Sequence, residues 1–326
     1  MKPLLLADIF LNVHKGQIMS DRSVMWFAFS LLMLVMLAID LGTNRTAHKV
    51  SFRQALSWSV VWISLALTFN AGIFVVMGKT KALEFFTGYI IEKTLSIDNL
   101  FVFIMIFGYF KIRGEHQARI LKWGIIGALV LRGLFIFTGI ELLSSFHWMF
   151  YLFGALLLFT AWKMAFGKNT AINPDNNLLV KLARKLFPFT KKVRGDWFFT
   201  RRRGLLVASP LFLALVVVES SDVLFAVDSI PAIFAVTLDP FIVFTSNIFA
   251  IMGLRALYFL LASIMGMFVY LNLGISSILA FVGGKMIFTA MGGHIPIQIS
   301  LLVIFSCLTL SVLASLLVGE KPQMSD

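Results

Sequence analysis

The chain has few charged residues for its length. Charged residues make up 13% of its 326 positions, whereas 59% of the positions are hydrophobic and 34 are phenylalanine. Such a composition oversupplies the core of any water-soluble protein. The sequence therefore predicts a polytopic membrane protein.

Cysteine is nearly absent. The single residue of this type, Cys307, lies in an apolar run, so no intrachain disulfide framework exists and the residue is best explained as a small core hydrophobe. The N-terminal residues lack the charged, apolar and cleavable regions of a signal peptide, so the first apolar run, 24–41, is expected to be a retained span.

Long apolar runs predict about nine transmembrane helices. The predicted spans are 24–41, 60–77, 87–107, 121–142, 148–166, 210–230, 241–261, 275–291 and 297–318. We expect helix 210–230 to begin with Ser209 as its N-cap and Pro210 at its first position.

Basic residues between the spans predict the orientation, because such residues stay on the cytoplasmic side. They concentrate in the connections 43–57, 111–122 and 167–203, so the N-terminus is expected outside and the C-terminus in the cytoplasm. The third connection could bind anionic lipid or nucleic acid. The simpler interpretation, an ordinary cytoplasmic loop, is favoured, and no nucleic-acid partner is expected.

The halves on either side of the basic loop resemble each other at nearly constant spacing. "DNLFV" at Asp98 matches "DVLFA" at Asp222, and the surroundings of Arg132 and Lys163 match those of Arg255 and Lys285. The two repeats begin with helices of opposite direction, which predicts an inverted three-helix repeat of the kind found in secondary transporters. Chance similarity of apolar helices is the alternative.

This repeat divides the chain into five predicted segments. They are an N-terminal segment with two helices (1–86), the first repeat (87–166), the basic loop (167–203), the second repeat (204–291) and a last helix with a short tail (292–326).

Acidic residues lie in the middle of two predicted spans. Asp98 and Asn99 are central in one, and Glu219 and Asp222 in the other. An acid at that depth is costly, so the default interpretation is a functional site facing the protein interior.

Two further acids lie off the face of these pairs. Asp228 lies about 120° around the helix from Asp222, and Glu92 poses the same problem relative to Asp98. Pro231 predicts a break near 228–230 that turns Asp228 inward, and Gly88 could loosen the start of the earlier helix. Alternatively, Glu92 and Asp228 act as gates at the ends of a pathway.

Together these side chains would offer only oxygen ligands. Such a set suits hard divalent cations, and no cysteine or histidine lies among them to favour zinc or copper. The candidate ligands are Glu92, Asp98, Asn99, Glu219, Asp222 and Asp228, with Asp40 and Asn247 as possible additions. The alternative is internal ion pairing, for which Arg132, Arg255, Lys163 and Lys285 are available. We expect Arg132 and Arg255 to brace the acids by charge.

Three stretches resemble a known family. "EKTLSIDNLFVF" (92–103), "VVVESSDVLFAVDSIPAIFAV" (216–236) and "SNIFAIMGLRALYF" (246–259) resemble the TerC family of integral membrane proteins, closely its bacterial Alx branch. The resemblance implies about nine helices and, for several members, export of Mn²⁺ from the cytoplasm across the bacterial inner membrane. Other members are associated with tellurite resistance or with thylakoid protein insertion. The motif acids correspond here to Glu92, Asp98, Glu219, Asp222 and Asp228.

Export of a divalent cation against an inside-negative potential costs about 4.6 kcal/mol per 100 mV, twice the single-charge figure. "MGKTK" (77–81) lacks the first glycine of a nucleotide-binding loop, so proton exchange is the simpler energy source. The sequence thus predicts a secondary transporter rather than an enzyme, with Mn²⁺ as substrate, membrane lipids as surroundings and no permanently bound cofactor.

A scaffold or insertion factor with structural acids is the second hypothesis, and a metal-dependent hydrolase is the third. The oligomeric state stays open.

Overall fold

The computed structural model describes residues 23–40, 42, 51–166, 181, 185, 188–190, 197–202, 205–262 and 270–318. Most of the predicted basic loop, 167–203, lies outside these ranges. The chain forms two compact units, Met1–Thr46 and Ala47–Asp326. The first contains helix α1 (Ser23–Asp40), which is long and apolar enough to cross a membrane.

In its described residues, the second unit is a helical bundle with one short hairpin. Its elements are α2 (Phe52–Met77), α3 (Lys79–Tyr109), α4 (Gly114–Ser145), α5 (Met149–Phe166), β1 (Phe199–Arg202), β2 (Leu205–Ala208), α6 (Pro210–Phe234), α7 (Pro240–Ile251), α8 (Leu254–Ala262), α9 (Leu271–Ala290) and α10 (Ile297–Val318). As expected from the sequence, Pro210 begins α6 after Ser209.

The chain is a polytopic membrane protein. Within the described residues, seven helices are long and apolar enough to span a membrane, or eight if α7 and α8 form one bent span. The predicted span 87–107 lies inside α3, which is not among these seven. Large apolar side chains such as Leu302 and Leu317 are exposed on α10, where a bilayer would cover them. The predicted number of nine spans stays a prediction.

Helices α5 and α9 approach each other closely because glycine lines their contact. A Cβ atom added at Gly154 would lie 3.0 Å from the carbonyl oxygen of Gly283, and one added at Gly283 would lie 2.9 Å from that of Gly154. Small residues allow such backbone contact in membranes. These helices are equivalent in the predicted repeat, as are α3 and α6, which also contact each other. The inverted relation between the repeats stays a prediction.

The predicted single span 241–261 is divided in the structure. Helices α7 and α8 are bent by 42° at residues between them. Gly253 has a positive φ of 81°, and a Cβ atom there would lie 2.6 Å from the Trp62 ring of α2. Glycine therefore allows both the backbone turn and the close approach of the indole.

The predicted break near 228–230 is wrong. Helix α6 continues from Pro210 to Phe234 with Pro231 inside it. Residues 229–234 are all buried, so packing against neighbouring helices holds the last turns in place despite the missing N–H donor. Asp228 is therefore not turned inward by a break.

The hairpin of β1 and β2 was not predicted from the sequence. Its strands pair antiparallel from Phe199 opposite Ala208 to Arg202 opposite Leu205. Just before β1, the rings of Trp197 and Phe198 lie 5.6 and 5.5 Å from the guanidinium carbon of Arg119 on α4. These cation–π contacts tie the end of the basic loop to the start of α4.

Candidate acidic site between α3, α4, α6 and α7

Arg132 joins two carboxylates that the sequence analysis singled out. Its Nη1 donates to Oε1 of Glu92 on α3, and its Nη2 donates to Oδ1 of Asp222 on α6 at 3.0 Å. Its Nε lies 3.4 Å from the other oxygen of Asp222. Two nitrogens of the guanidinium thus contact the two oxygens of Asp222, which is the bidentate geometry that arginine favours with carboxylates.

The three charges are removed from solvent. Glu92 and Arg132 are 0% exposed, and Asp222 is 5% exposed. Burying charges is costly unless they are paired and hydrogen-bonded, so each member depends on the others. Two carboxylates against one guanidinium still leave an excess of negative charge when all three are ionised.

Asn247 extends the cluster to α7. Its Nδ2 donates to Oε2 of Glu92 at 3.1 Å, so both oxygens of that carboxylate accept a hydrogen bond. The Oδ1 atom of Asn247 is buried and accepts no hydrogen bond from the described residues. A buried amide oxygen without a donor is unusual and is a suitable ligand for a hard cation.

Glu219 lies one helical turn before Asp222, on the same face of α6, and its carboxylate reaches α4. A Cβ atom added at Gly127 would overlap the carboxylate of Glu219. Gly127 therefore makes room for an acid. The sequence analysis assigned Gly127 no role at the site, so it missed this contact.

Asp228 lies in a different contact of α6. Its Oδ1 accepts a hydrogen bond at 2.9 Å from Thr160 on α5, away from the Arg132 contacts. Its roles as a ligand and as a gate both remain predictions.

The remaining predicted residues are distributed as follows. Asn99 is 4% exposed on α3, and Arg255 is 5% exposed near the start of α8. Lys285 donates to Ser300 on α10 at 2.9 Å, whereas Lys163 is exposed. Asp40 is buried in the chain's first unit. The side chain of Asp98 lies outside the described residues.

No group of three or more acidic, histidine or cysteine side chains that could hold a metal occurs among the described residues. The described part of the candidate site is therefore a charge cluster of Glu92, Arg132, Asp222 and Asn247, with Glu219 beside it. We call this set the acidic cluster.

A second polar network, missed from the sequence, lies at the start of α3. Lys81 Nζ lies 2.7 Å from Glu84 Oε2 and 3.3 Å from Asp239 Oδ2 in the connection between α6 and α7. Thr237 also donates to Glu84, at 2.7 Å. The spacing of Lys81 and Glu84 predicts their pairing on one helix face, but no sequence signal predicts the contact with Asp239.

These partners affect the ionisation of Lys81, which precedes the predicted span 87–107. Burial lowers the pKa of its ammonium, but the hydrogen bond and charge of Glu84, together with Asp239, outweigh burial. The pKa is therefore raised above its ordinary value of 10.5.

Comparison with known proteins identifies the family. The sequence pattern of the "Integral membrane protein TerC family" matches residues 77–323. The chain belongs to this family. The match contains every member of the acidic cluster and confirms the resemblance carried by the three stretches quoted above.

Relatives match over nearly the whole chain. An uncharacterized membrane protein of Myxococcus xanthus is 48% identical over 303 residues, covering 93% of this chain and 95% of the relative. The "Putative membrane-bound redox modulator Alx" of Escherichia coli strain K12 is 46% identical over 308 residues, covering 91% and 96%. The protein of that name from Salmonella typhi is 45% identical over 308 residues, covering 91% and 95%. No solved structure matches the chain.

Proposed function

We propose that this TerC family protein exports Mn²⁺ from the bacterial cytoplasm as a secondary transporter. The observation that carries the proposal is the buried acidic cluster, in which helices of both predicted repeats place carboxylates around one arginine. Ionisable residues deep in a membrane protein mark ion pathways more often than they serve stability. The proposal includes an inner-membrane location, an external N-terminus and a cytoplasmic C-terminus.

The ligand chemistry favours a hard divalent cation. Among the described residues no three acids already form a group that could hold a metal, so the proposal requires the carboxylates of Glu92, Glu219 and Asp222 to approach the cation as it binds. Asn247 adds an amide oxygen that accepts no hydrogen bond from the described residues. Hard cations such as Mn²⁺, Mg²⁺ and Ca²⁺ prefer these ligands. Mn²⁺ is selected among them because the resemblance to TerC proteins implies its export.

Arg132 has a defined part in this proposal. Its guanidinium pairs with both Glu92 and Asp222 when no cation lies between them, and an arriving divalent cation competes with it for the Asp222 carboxylate. One positive charge offsets part of the repulsion between these two acids in the absence of metal. Export against the membrane potential still requires an energy source, for which proton exchange stays an expectation.

The test is transport by purified protein in liposomes. Wild-type protein should move Mn²⁺ down an imposed gradient, and Mg²⁺ or Ca²⁺ in excess should report selectivity. Asp222→Asn and Glu219→Gln keep side-chain size while removing charge, so both should abolish flux. Glu141→Gln, which neutralises an exposed acid at the end of α4, is the matched control and should transport normally. Absence of flux from folded wild-type protein would exclude the proposal.

A structural role for the acids is the second candidate function class. The observation that favours it is that Arg132 pairs with both Glu92 and Asp222, while Asn247 donates to the second oxygen of Glu92. In that case the protein acts as a membrane scaffold or insertion factor. It would carry no metal flux, and the Asp222→Asn variant would lose folded protein.

A further inference from the structure

The break between α7 and α8 exposes backbone carbonyls inside the bundle. Met252, the residue after α7, has extended backbone angles of −60° and 133°, and Gly253 follows with a positive φ. The last carbonyl groups of a helix lack the N–H donors that a continuous helix provides. They also carry the negative end of the helix dipole, so the end of α7 attracts positive charge.

Lys93 on α3 occupies this position. Its Nζ donates to the carbonyl oxygen of Ala250 at 3.1 Å and lies 3.4 Å from that of Met252. The two oxygens come from residues on either side of the last helical position, and the ammonium lies between them. In other membrane proteins, carbonyls of broken helices and half-helix ends bind free monovalent cations.

We propose that the C-terminal end of α7 is a monovalent-cation site that the chain fills with its own Lys93 ammonium. The ligands are the carbonyl oxygens of Ala250 and Met252. Because the ammonium is part of the chain, the stability of the break between α7 and α8 does not depend on Na⁺ or K⁺ in the medium. This inference does not rest on manganese export, because the site exists whether or not the acidic cluster transports a metal.

The Lys93 site lies next to the acidic cluster on α3. The residue before Lys93, Glu92, accepts a hydrogen bond from Asn247 of the same helix α7. The two neighbours on α3 therefore hold α7 at two places, one before its end and one at its end. Loss of the ammonium should loosen the end of α7 and leave two carbonyl oxygens in an apolar environment without a donor.

The test removes the tether and supplies a free cation. Full-length Lys93→Ala protein in detergent should have a lower melting temperature than wild type in choline chloride, because the three methyl groups on the choline nitrogen keep its charge away from the carbonyl oxygens. Methylammonium or potassium chloride at equal ionic strength should raise the melting temperature of the variant by several degrees, and the rise should level off as the cation concentration increases. Wild type should melt at the same temperature in all these salts.

Lys163→Ala is the matched control, because Lys163 is a lysine near a helix end that is exposed. Its melting temperature should not depend on which cation is present. The proposal is overturned if Lys93→Ala responds no more than wild type or this control.

A second pair of variants decides the matter if Lys93→Ala yields no folded protein. Lys93→Arg keeps a positive charge that can donate to the carbonyls, whereas Lys93→Met keeps the length without a charge or donor. We expect the arginine variant to fold with higher yield and melting temperature than the methionine variant. If the two variants have the same folded yield and melting temperature, whether high or low, a cation site is contradicted.

Discussion

The carboxylate of Glu219 occupies the space that a side chain at position 127 would fill. A Cβ atom at Gly127 would overlap the Cδ atom and both carboxylate oxygens of Glu219. These contacts place the acid of α6 directly against the backbone of α4, one helical turn before Asp222. Gly127 therefore determines where this charge lies.

Gly127→Ala should displace Glu219 and reduce Mn²⁺ flux while the protein still folds, because alanine favours the helical backbone by roughly 1 kcal/mol over glycine. Gly133→Ala is the control on the same helix. Its Cβ atom would meet Phe244 at 3.5 Å, an ordinary contact. Flux in liposomes, normalised to folded protein, is the measurement. Wild-type flux from Gly127→Ala would show that the position of Glu219 does not matter.

Neutralising Arg132 should damage folding more than neutralising any single acid of the cluster. Arg132→Gln leaves two buried carboxylates without their shared partner, a loss of about 3–5 kcal/mol for a fully buried pair. Folded yield and thermal stability measure this effect.

The triple variant Glu92→Gln, Arg132→Gln and Asp222→Asn tests the same argument from the other side. It removes all three charges together and should recover much of the stability lost by Arg132→Gln, without recovering flux. A triple variant less stable than Arg132→Gln would contradict mutual charge pairing.

Asp228 should affect the rate of transport rather than the affinity for the cation. Asp228→Asn keeps an oxygen that can accept the hydrogen bond of Thr160, so α5 and α6 stay joined. We expect a lower maximal rate and a KM for Mn²⁺ within about twofold of wild type, whereas an essential ligand would raise KM strongly. Initial rates over a range of Mn²⁺ concentrations distinguish these outcomes. A large increase in KM would assign Asp228 to the binding site.

The Lys81 network should contribute little stability, and its contribution should vanish at high pH. The side chain of Lys81 is 31% exposed, so Lys81→Met should cost less than about 1 kcal/mol near neutral pH. Because the pKa of Lys81 is raised in the folded protein, this contribution to stability is fully present below pH 10.5. It is lost as the pH rises through the pKa of Lys81 in the folded protein. Thermal unfolding of both proteins at several pH values measures the difference. A difference that grows above pH 10.5 would falsify this assignment.

The sequence predicted the helical architecture well because membrane spans are long and their composition differs sharply from that of loops. It also identified Glu92, Asp222, Arg132 and Asn247 as members of one polar set, since charges in apolar helices are rare and have few partners. What the sequence could not supply was the pairing itself. Arg132 reaches Glu92 on one helix and Asp222 on another, and no spacing along the chain encodes that meeting.

Both errors about helix breaks have the same cause. Pro231 is a strong local signal for a break, yet burial of the surrounding turns maintains α6. Gly253 is a weak local signal, yet contact with Trp62 of α2 accompanies a true break there. In each case tertiary packing decided the outcome, and single-sequence reasoning does not contain it.

The two adjacent attachments of α3 to α7 restrict how the bundle can move. Glu92 holds Asn247, and Lys93 holds the carbonyls of Ala250 and Met252, so rotating α3 about its axis or sliding it along α7 would break both at once. Gly88 allows α3 to pack closely against α7, because a Cβ atom there would lie 2.9 Å from Oγ of Ser246. Any change that opens the acidic cluster to alternate sides of the membrane must therefore carry α3 and α7 together as one rigid piece. In the proposed transport, this pair would then move relative to α4 and α6, where the cation competes with Arg132 for Asp222.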